Sequence, residues 1–127
     1  MSIAFSRKRA RQLWRPDLFA CIMLLIIIVG SLMPAEEARA MPGNDLFQHL
    51  SLYGLLSFFS LLAWAKSVRF TALIMISILS LGAAIEYAQP FVGRTFDLSD
   101  MAANSAGIIA GGVLVFCVSL WRRHKLA

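Results

Sequence analysis

A chain of 127 residues, of which 59% are hydrophobic, leaves no room for a water-soluble domain of ordinary composition. Apolar runs of about 20 residues recur along it, which is typical of a polytopic membrane protein. The formal net charge is +5, but the basic residues stand in short blocks beside the apolar runs. This pattern indicates membrane topology and argues against a nucleic-acid-binding face.

The first apolar run follows a basic segment, residues 1–17, which we predict to be cytoplasmic. It covers residues 18–33 and ends before Pro34, which predicts a first transmembrane helix. A cleaved signal peptide is the alternative, because the sequence Ala38-Arg39-Ala40 resembles a small-x-small cleavage site. Since the run is apolar on nearly every side, we expect this helix at the periphery of a bundle, without a part in chemistry.

Three further apolar runs predict helices over residues 46–65, 70–88 and 101–121. Each is long enough to cross a hydrocarbon core of about 30 Å at about 1.5 Å per residue. We therefore predict an all-α, integral membrane four-helix bundle over residues 18–121, followed by a basic cytoplasmic tail over residues 122–127.

The basic residues also predict the orientation of this bundle. Ten of the 12 Lys and Arg residues fall in the N-terminal segment, in the link between the second and third helices, and in the tail. Basic residues near membrane helices favour the cytoplasmic side. Both termini are therefore expected in the cytoplasm, and the links near Pro42 and Gly93 are expected to face outward.

Polar residues share one face of the second predicted helix. His49, Tyr53, Ser57 and Ser60 follow helical spacing, and Asp45 lies one turn earlier on the same face. A polar face on an apolar helix is costly next to lipid. We expect this face to point into the bundle.

The fourth predicted helix carries a second stripe, Asp100, Asn104, Gly107 and Gly111. The residues at the outer end of this stripe are polar, and those in its middle are glycines. Glycine on a membrane helix lets a neighbouring helix approach closely. We assign Gly107 and Gly111 to helix packing.

Glu86 lies near the outward end of the third predicted helix, where a carboxylate needs a partner and is a functional-site hypothesis by default. Counted at about 1.5 Å per residue from the cytoplasmic ends, His49, Glu86 and Asn104 lie at about the same depth. Gly82, one turn below, removes bulk beside Glu86. Together these residues predict a polar pocket open to the outer leaflet. Its floor and rim are expected to be formed by Tyr53, Ser57, Gly107, Asp45, Gln89, Arg94, Asp97 and Asp100.

These polar residues have both functional and structural interpretations. The functional one gives acid–base catalysis to Glu86 and His49. It gives ligand binding to Asp45, Tyr53, Gln89, Arg94, Asp97, Asp100 and Asn104. The structural one makes Asp97 and Asp100 caps of the fourth helix and Asn104 an interhelical hydrogen-bond partner. Arg94 fits either an ion pair with these carboxylates or a grip on an anionic ligand.

Metal and cofactor sites find little support in the sequence. A metal site formed by His49, Glu86 and Asp100 is disfavoured, because the chain has no second histidine at ligand spacing. A Gly-rich phosphate loop and a serine nucleophile elbow are also missing from the sequence. We therefore expect no metal and no cofactor.

The pattern Asp45-x3-His49-x3-Tyr53, followed by Glu86-x2-Gln89, Gly93-Arg94 and the stripe of the fourth helix, resembles the VanZ-like membrane proteins. The resemblance covers about the last two-thirds of the chain. It implies a small helical bundle in the cytoplasmic (inner) membrane of a bacterium. Because a member of this family is associated with resistance to the glycopeptide teicoplanin, it also implies a link to that resistance.

Two functions from different classes are consistent with these features. In the first, the pocket binds or acts on an amphiphilic membrane molecule such as a lipid-linked glycan precursor, with Arg94 holding an anionic head. Glu86→Gln should then abolish function, since Glu86 and His49 exchange protons. In the second, the chain is a non-enzymatic membrane module that recruits another envelope protein or a second copy. A transporter is disfavoured, because four helices without an internal repeat are few for alternating access.

Overall fold

The computed structural model describes residues 15–40 and 43–126 of the chain. Its long helices are α1 Pro16–Ser31, α2 Asp45–Trp64, α3 Val68–Ala88 and α4 Leu98–Leu126. A short helix, Ala35–Arg39, follows α1, and a 3-10 helix, Gln89–Val92, follows α3. No β-strand occurs among the residues described, so the predicted all-α class is confirmed.

Helix α1 begins at Pro16, whose fixed φ suits the first turn of a helix. Just before it, the exposed Arg15 guanidinium pairs with the Asp17 carboxylate at 2.8 Å. The remainder of the predicted basic segment, residues 1–14, lies outside the described residues, as does Pro42 in the first outward link.

Side-chain caps start α2 and α3 one or two residues earlier than the apolar pattern predicts. Asn44 Oδ1 accepts a hydrogen bond from the Phe47 N–H at 3.4 Å, and Ser67 Oγ accepts one from the Phe70 N–H at 3.3 Å. Such caps satisfy amide donors that have no partner within the first turn. Helix α4 differs more, because it starts at Leu98 and continues through most of the predicted tail.

Three stretches within the described residues are long and apolar enough to cross a membrane: Asp45–Trp64, Val68–Val92 and Leu98–Lys125. Helix α1 has 16 residues, about 24 Å at about 1.5 Å per residue, which is less than a hydrocarbon core of about 30 Å. The structure therefore supports a membrane helical bundle that consists of three long spans and a shorter apolar helix.

Helix α2 lies at the centre of the bundle, with its most extensive contacts to α4 and its next most extensive to α1. On the α1 side, Ala20 and Ile27 are buried, and the Phe19 and Phe59 rings stack with centroids 5.2 Å apart. Helix α3 contacts its neighbours less and leaves large apolar side chains exposed along its length. Such a surface suits contact with lipid acyl chains.

Glycines set the close approach of α2 and α4. A Cβ at Gly107 would overlap the carbonyl oxygen of Leu50, and a Cβ at Gly111 would overlap the carbonyl oxygen of Gly54. Gly54 itself faces Gly107, since its own added Cβ would lie 3.3 Å from the Gly107 carbonyl oxygen. The two stripe glycines of α4 thus pack against the α2 backbone. Gly54 was not predicted as a contact from the sequence, which offers one indication of it: it is the only glycine of α2.

Candidate functional site

The polar groups singled out in the sequence meet at one end of the bundle. Helices α2 and α4 begin at this end, and α1 and α3 end there. His49 and Asp100 therefore lie near helix starts, Glu86 lies near a helix end, and Arg94 lies in the link between α3 and α4. The alternating direction of consecutive helices brings residues that are about 50 positions apart in the sequence into contact.

Helix α2 turns its polar face toward the interior. His49, Tyr53 and Ser57 are buried, whereas Asp45 at the start of the helix is exposed. Ser57 Oγ donates a hydrogen bond to the carbonyl oxygen of Ile108 at 3.0 Å. This hydroxyl therefore joins α2 to α4.

His49 is the centre of the site. Its Nδ1 lies 2.9 Å from Asn104 Oδ1, so we assign the ring proton to Nδ1, which donates to the amide oxygen. The same hydrogen bond forms in the neutral ring and in the imidazolium, and it leaves Nε2 for the other side of the ring. Nε2 faces two carboxylates, 3.7 Å from Asp45 Oδ1 and 3.6 Å from Asp100 Oδ2.

Arg94 closes one side of this cluster. Its Nη2 lies 3.5 Å from Asp45 Oδ2, and its Nη1 donates to the carbonyl oxygen of Gly30 at 3.4 Å. Gly30 belongs to the last turn of α1, where carbonyl oxygens lack intrahelical donors. Gly93 adopts φ +77°, and this left-handed turn returns the chain toward α1 and α2. The guanidinium thus contacts two groups of the protein itself.

Asp97 lies directly before α4 and caps its first turn. Its Oδ1 accepts hydrogen bonds from the Ser99 N–H at 2.7 Å and from the Ser99 hydroxyl at 2.6 Å. These hydrogen bonds favour the ionised carboxylate and lower the pKa of Asp97 below its ordinary value. A lowered pKa in the folded state stabilises the fold above the unfolded pKa, and this contribution is lost as pH falls through the folded pKa.

We expect the melting temperature of the wild type to fall more than that of Asp97→Asn between about pH 6 and about pH 3. Asparagine still caps a helix but does not titrate in this range. Scanning fluorimetry of both proteins in detergent measures the difference. Equal acid sensitivity of the two proteins would show that the carboxylate of Asp97 is not a stabilising cap.

Glu86 and Gln89 are fully buried. Glu86 Oε2 accepts a hydrogen bond from the Asp97 N–H at 3.4 Å. Glu86 Oε1 and both amide atoms of the Gln89 side chain have no hydrogen-bond partner in the described part of the chain. These two side chains pack behind the site, and neither lines the cavity beside it.

A cavity of about 530 Å³ opens beside His49. Its polar lining includes Asp45, His49, Tyr53, Arg94, Asp97 and Asp100, together with Ser31, Gln48 and Thr95. Gln89, expected on the rim, and Ser57 and Gly107, expected on the floor, do not line this cavity. Ser57 and Gly107 lie instead at the contact between α2 and α4.

Helix α1 forms the opposite, apolar wall of the cavity through Ile26, Ile27 and Gly30. A Cβ at Gly30 would meet nothing within 4 Å. Helix α1 was expected at the periphery without a part in chemistry, and its last turns nevertheless complete the cavity. Gly30 is the only glycine in a run of bulky apolar residues, and it is the indication that the sequence offers for this wall.

Gly82 makes room on α3 for the polar faces of α2 and α4. A Cβ there would lie 3.1 Å from Tyr53 Cε1 and 3.3 Å from Asn104 Nδ2, closer than ordinary contacts. Tyr53 Oη and Asn104 Nδ2 have no hydrogen-bond partner among the residues described. Gly82 thus accommodates Tyr53 and Asn104, the groups that adjoin His49.

The lining of the cavity carries an excess of negative charge. Among the described side chains that line it, three carboxylates, Asp45, Asp97 and Asp100, accompany one cation, Arg94. Between them, His49 presents an imidazole nitrogen that accepts a proton or coordinates a metal. The arrangement is therefore suited to proton transfer or to holding a cation.

This polar cluster and its cavity are the features that a related protein would be expected to share. The VanZ-like resemblance rests on the sequence pattern of Asp45, His49, Tyr53 and the residues from Glu86 to Gly111. In comparisons with known proteins, no protein-family model, no curated protein and no solved structure matches the chain.

Proposed function

We propose that the chain is a VanZ-like protein of the bacterial cytoplasmic membrane whose cavity binds the headgroup of an amphiphilic envelope molecule. The charge pattern supports the orientation. Lys66, Arg69 and the basic end of α4 lie at the end of the bundle opposite to the cavity, and basic residues favour the cytoplasmic side. Both termini then lie inside, and the cavity opens toward the outer face.

One observation carries this proposal: the cavity has an apolar wall and a polar wall. Ile26, Ile27 and Gly30 of α1 form the first, and Asp45 and His49 belong to the second. Binding sites of this kind combine an apolar lining with a few polar groups that fix orientation. A lipid-linked glycan precursor would keep its chain against lipid and the α1 wall, and its polar head against the α2 and α4 wall.

His49 and Asp100 are the groups in position for chemistry at this cavity. His49 lines the cavity, and the orientation of its ring is fixed by the hydrogen bond from Nδ1 to Asn104. A histidine held in this way suits general base catalysis on a headgroup hydroxyl. Glu86 supports the wall by accepting the Asp97 N–H.

The proposal is tested first by teicoplanin susceptibility in a susceptible Gram-positive host. The host expresses the wild type or His49→Ala at membrane abundance matched by immunoblot, with the empty vector as control. We expect the wild type to protect and the variant to lose protection. Equal protection would remove His49 from the function, and protection by neither chain would refute the link to this antibiotic.

Filling the cavity should block it without unfolding the protein. Gly30→Leu places a side chain in the open space beside the α1 wall. Leucine also favours the helix over glycine by up to about 1 kcal/mol. We expect normal abundance and about tenfold weaker binding, or about 1.4 kcal/mol. The measurement uses a fluorescent polyprenyl-pyrophosphate-linked glycan and protein in nanodiscs.

The matched control for Gly30→Leu is Leu25→Ala. Leu25 lies on the same helix, is 62% exposed and does not line the cavity. Its replacement should leave binding unchanged. Wild-type affinity in Gly30→Leu, or equal weakening in both variants, would contradict a binding site against α1.

A non-enzymatic module is the second candidate, and the exposed aromatic surface at the cavity end favours it. Tyr87 is 70% exposed and Phe91 is 90% exposed, next to the equally prominent Leu98. Aromatic side chains at this level also anchor a helix at the membrane interface. If this surface recruits an envelope protein or a second copy, Phe91→Ser should lose protection while His49→Ala keeps it. If the headgroup site carries the function instead, His49→Ala should lose protection and Phe91→Ser should keep it.

A further inference from the structure

We propose that Asp45, His49 and Asp100 bind one zinc ion. Nε2 of His49 and one carboxylate oxygen from each aspartate lie within 4.8 Å of one another. One imidazole nitrogen and two carboxylate oxygens are ligands that Zn²⁺ accepts, and three protein ligands with an open fourth position are typical of its reactive sites. The proposal does not depend on which amphiphile the cavity binds. With zinc bound, His49 Nε2 is a ligand, and the general-base role given to it above does not apply.

The types of the donor atoms favour zinc. His49 Nε2 lies 3.7 Å from Asp45 Oδ1 and 3.6 Å from Asp100 Oδ2. Ligands at about 2.0–2.1 Å from a tetrahedral Zn²⁺ are about 3.3–3.4 Å apart, whereas neighbouring ligands of an octahedral Mg²⁺ are about 3.0 Å apart. The observed separations exceed both values, so the donor atoms would have to move closer to bind either ion. The imidazole nitrogen decides for zinc, because Mg²⁺ and Ca²⁺ prefer oxygen ligands.

The groups around these ligands hold them in the orientation that a metal needs. The other ring nitrogen of His49, Nδ1, donates a hydrogen bond to Asn104 Oδ1 at 2.9 Å. This hydrogen bond directs Nε2 toward the two carboxylates. Metal-ligating histidines are held by such a hydrogen bond as a rule. On the other side, Arg94 contacts Asp45 through Oδ2 at 3.5 Å and leaves Oδ1 directed toward His49.

Asp100 also points to a cation. It is 5% exposed and lines the cavity, and its carboxylate faces His49 Nε2 at 3.6 Å, beyond hydrogen-bond distance. Arg94, the cation of the cavity lining, pairs with Asp45. A buried carboxylate is costly unless it is closely paired. A divalent ion between Asp100 and His49 would provide that close partner.

A metal at His49, Glu86 and Asp100 was disfavoured from the sequence, because the chain has no second histidine at ligand spacing. The structure combines His49 with Asp45, four residues earlier on the same helix, which is a spacing that places two ligands side by side. The fourth position of the ion faces the cavity. There it would bind water or an anionic oxygen and offset the negative charge of the lining. This consequence, unlike the site, rests on the proposed function.

The experiment uses the purified full-length chain in nanodiscs, with a histidine-free affinity tag. The protein is treated with a chelator, dialysed and titrated with ZnCl₂ by calorimetry, and bound metal is counted by mass spectrometry. We expect about one Zn²⁺ per chain. His49→Ala and Asp100→Asn should each raise Kd by more than about 100-fold, and Asn104→Leu by about 10–100-fold, the range for a group outside the coordination shell.

Two matched variants control for other zinc-binding groups. Glu86→Gln alters a buried carboxylate that does not contribute to the cluster, and His124→Ala removes the exposed histidine of α4. Both should keep the wild-type Kd. Co²⁺ in place of Zn²⁺ should give the intense visible absorption of tetrahedral coordination, and His49→Ala should abolish it.

The proposal is overturned if the wild type binds less than about 0.1 Zn²⁺ per chain, far below the full occupancy of a built site. It is also overturned if Asp100→Asn keeps the wild-type Kd, or if Glu86→Gln weakens binding as much as Asp100→Asn. Circular dichroism checks folding of each variant. Should Asp100→Asn fail to fold, Asp45→Asn decides the question, because the Asp45 side chain is 58% exposed and tolerates replacement.

Discussion

Gly111→Ala should lower the amount of folded protein in the membrane several-fold, whereas Gly112→Ala should leave it unchanged. A Cβ at Gly111 would overlap the Gly54 carbonyl oxygen and lie 2.9 Å from the Phe58 nitrogen, both backbone atoms of α2. At Gly112 the nearest atom is Met75 Cε at 3.5 Å, the end of a flexible side chain. Backbone atoms cannot move aside, so α2 and α4 must separate.

The adjacent positions make a matched pair. Both substitutions favour the helical state by up to about 1 kcal/mol through propensity alone, so a difference between them reports packing. Overpacking a close contact costs about 1–3 kcal/mol, and occasionally more. Immunoblots of membrane fractions and size-exclusion profiles in mild detergent measure the result. Equal abundance and equal profiles of the two variants would show that α4 is rotated away from the α2 contact described above.

Glu86→Ala should destabilise the bundle, whereas Glu86→Gln should retain fold and function. Glu86 is fully buried and accepts the Asp97 N–H through Oε2 at 3.4 Å. Alanine leaves this donor without a partner and creates a void, a combination that costs about 2–5 kcal/mol. Glutamine keeps an acceptor oxygen and the volume. Since Glu86 does not line the cavity, the acidic proton is not required there.

Melting temperatures in detergent and teicoplanin susceptibility at matched abundance measure the two effects of the Glu86 variants. Leu25→Ala, an exposed change on α1, is the control for both. Loss of function in Glu86→Gln with an unchanged melting temperature would restore the acid–base role predicted from the sequence. It would also mean that chemistry extends behind the cavity wall.

The apolar pattern and the spacing within single helices were predictable from the sequence. Helix period places Asp45, His49 and Tyr53 on one face whatever surrounds them, and the cost of polar groups next to lipid turns that face inward. The same reasoning identifies Gly107 and Gly111 as close contacts, because glycine on an apolar helix has little other use. Helices α2 and α3 begin one or two residues before the apolar pattern does, because Asn44 and Ser67 cap them.

The depth of the polar side chains in the membrane was predictable in part. Counting residues along each helix placed His49, Asn104 and Glu86 in one layer, and His49 does meet Asn104 at 2.9 Å. A height along the membrane normal, however, does not specify the direction in which a side chain points. Glu86 lies behind the site and accepts a hydrogen bond from Asp97, while Asp45 and Asp100 occupy the places next to His49 Nε2.

The sequence by itself thus determined the helices, their apolar character and the polar face of α2, because these depend on local spacing and on the cost of burying polar groups. Only the tertiary structure decided which carboxylates surround His49 and that α1 walls the cavity. Helix rotation and the partners across helices depend on packing, here on the approach of α4 to the α2 backbone at Gly54. An evenly apolar helix such as α1 carries no periodic pattern that indicates which side faces the bundle.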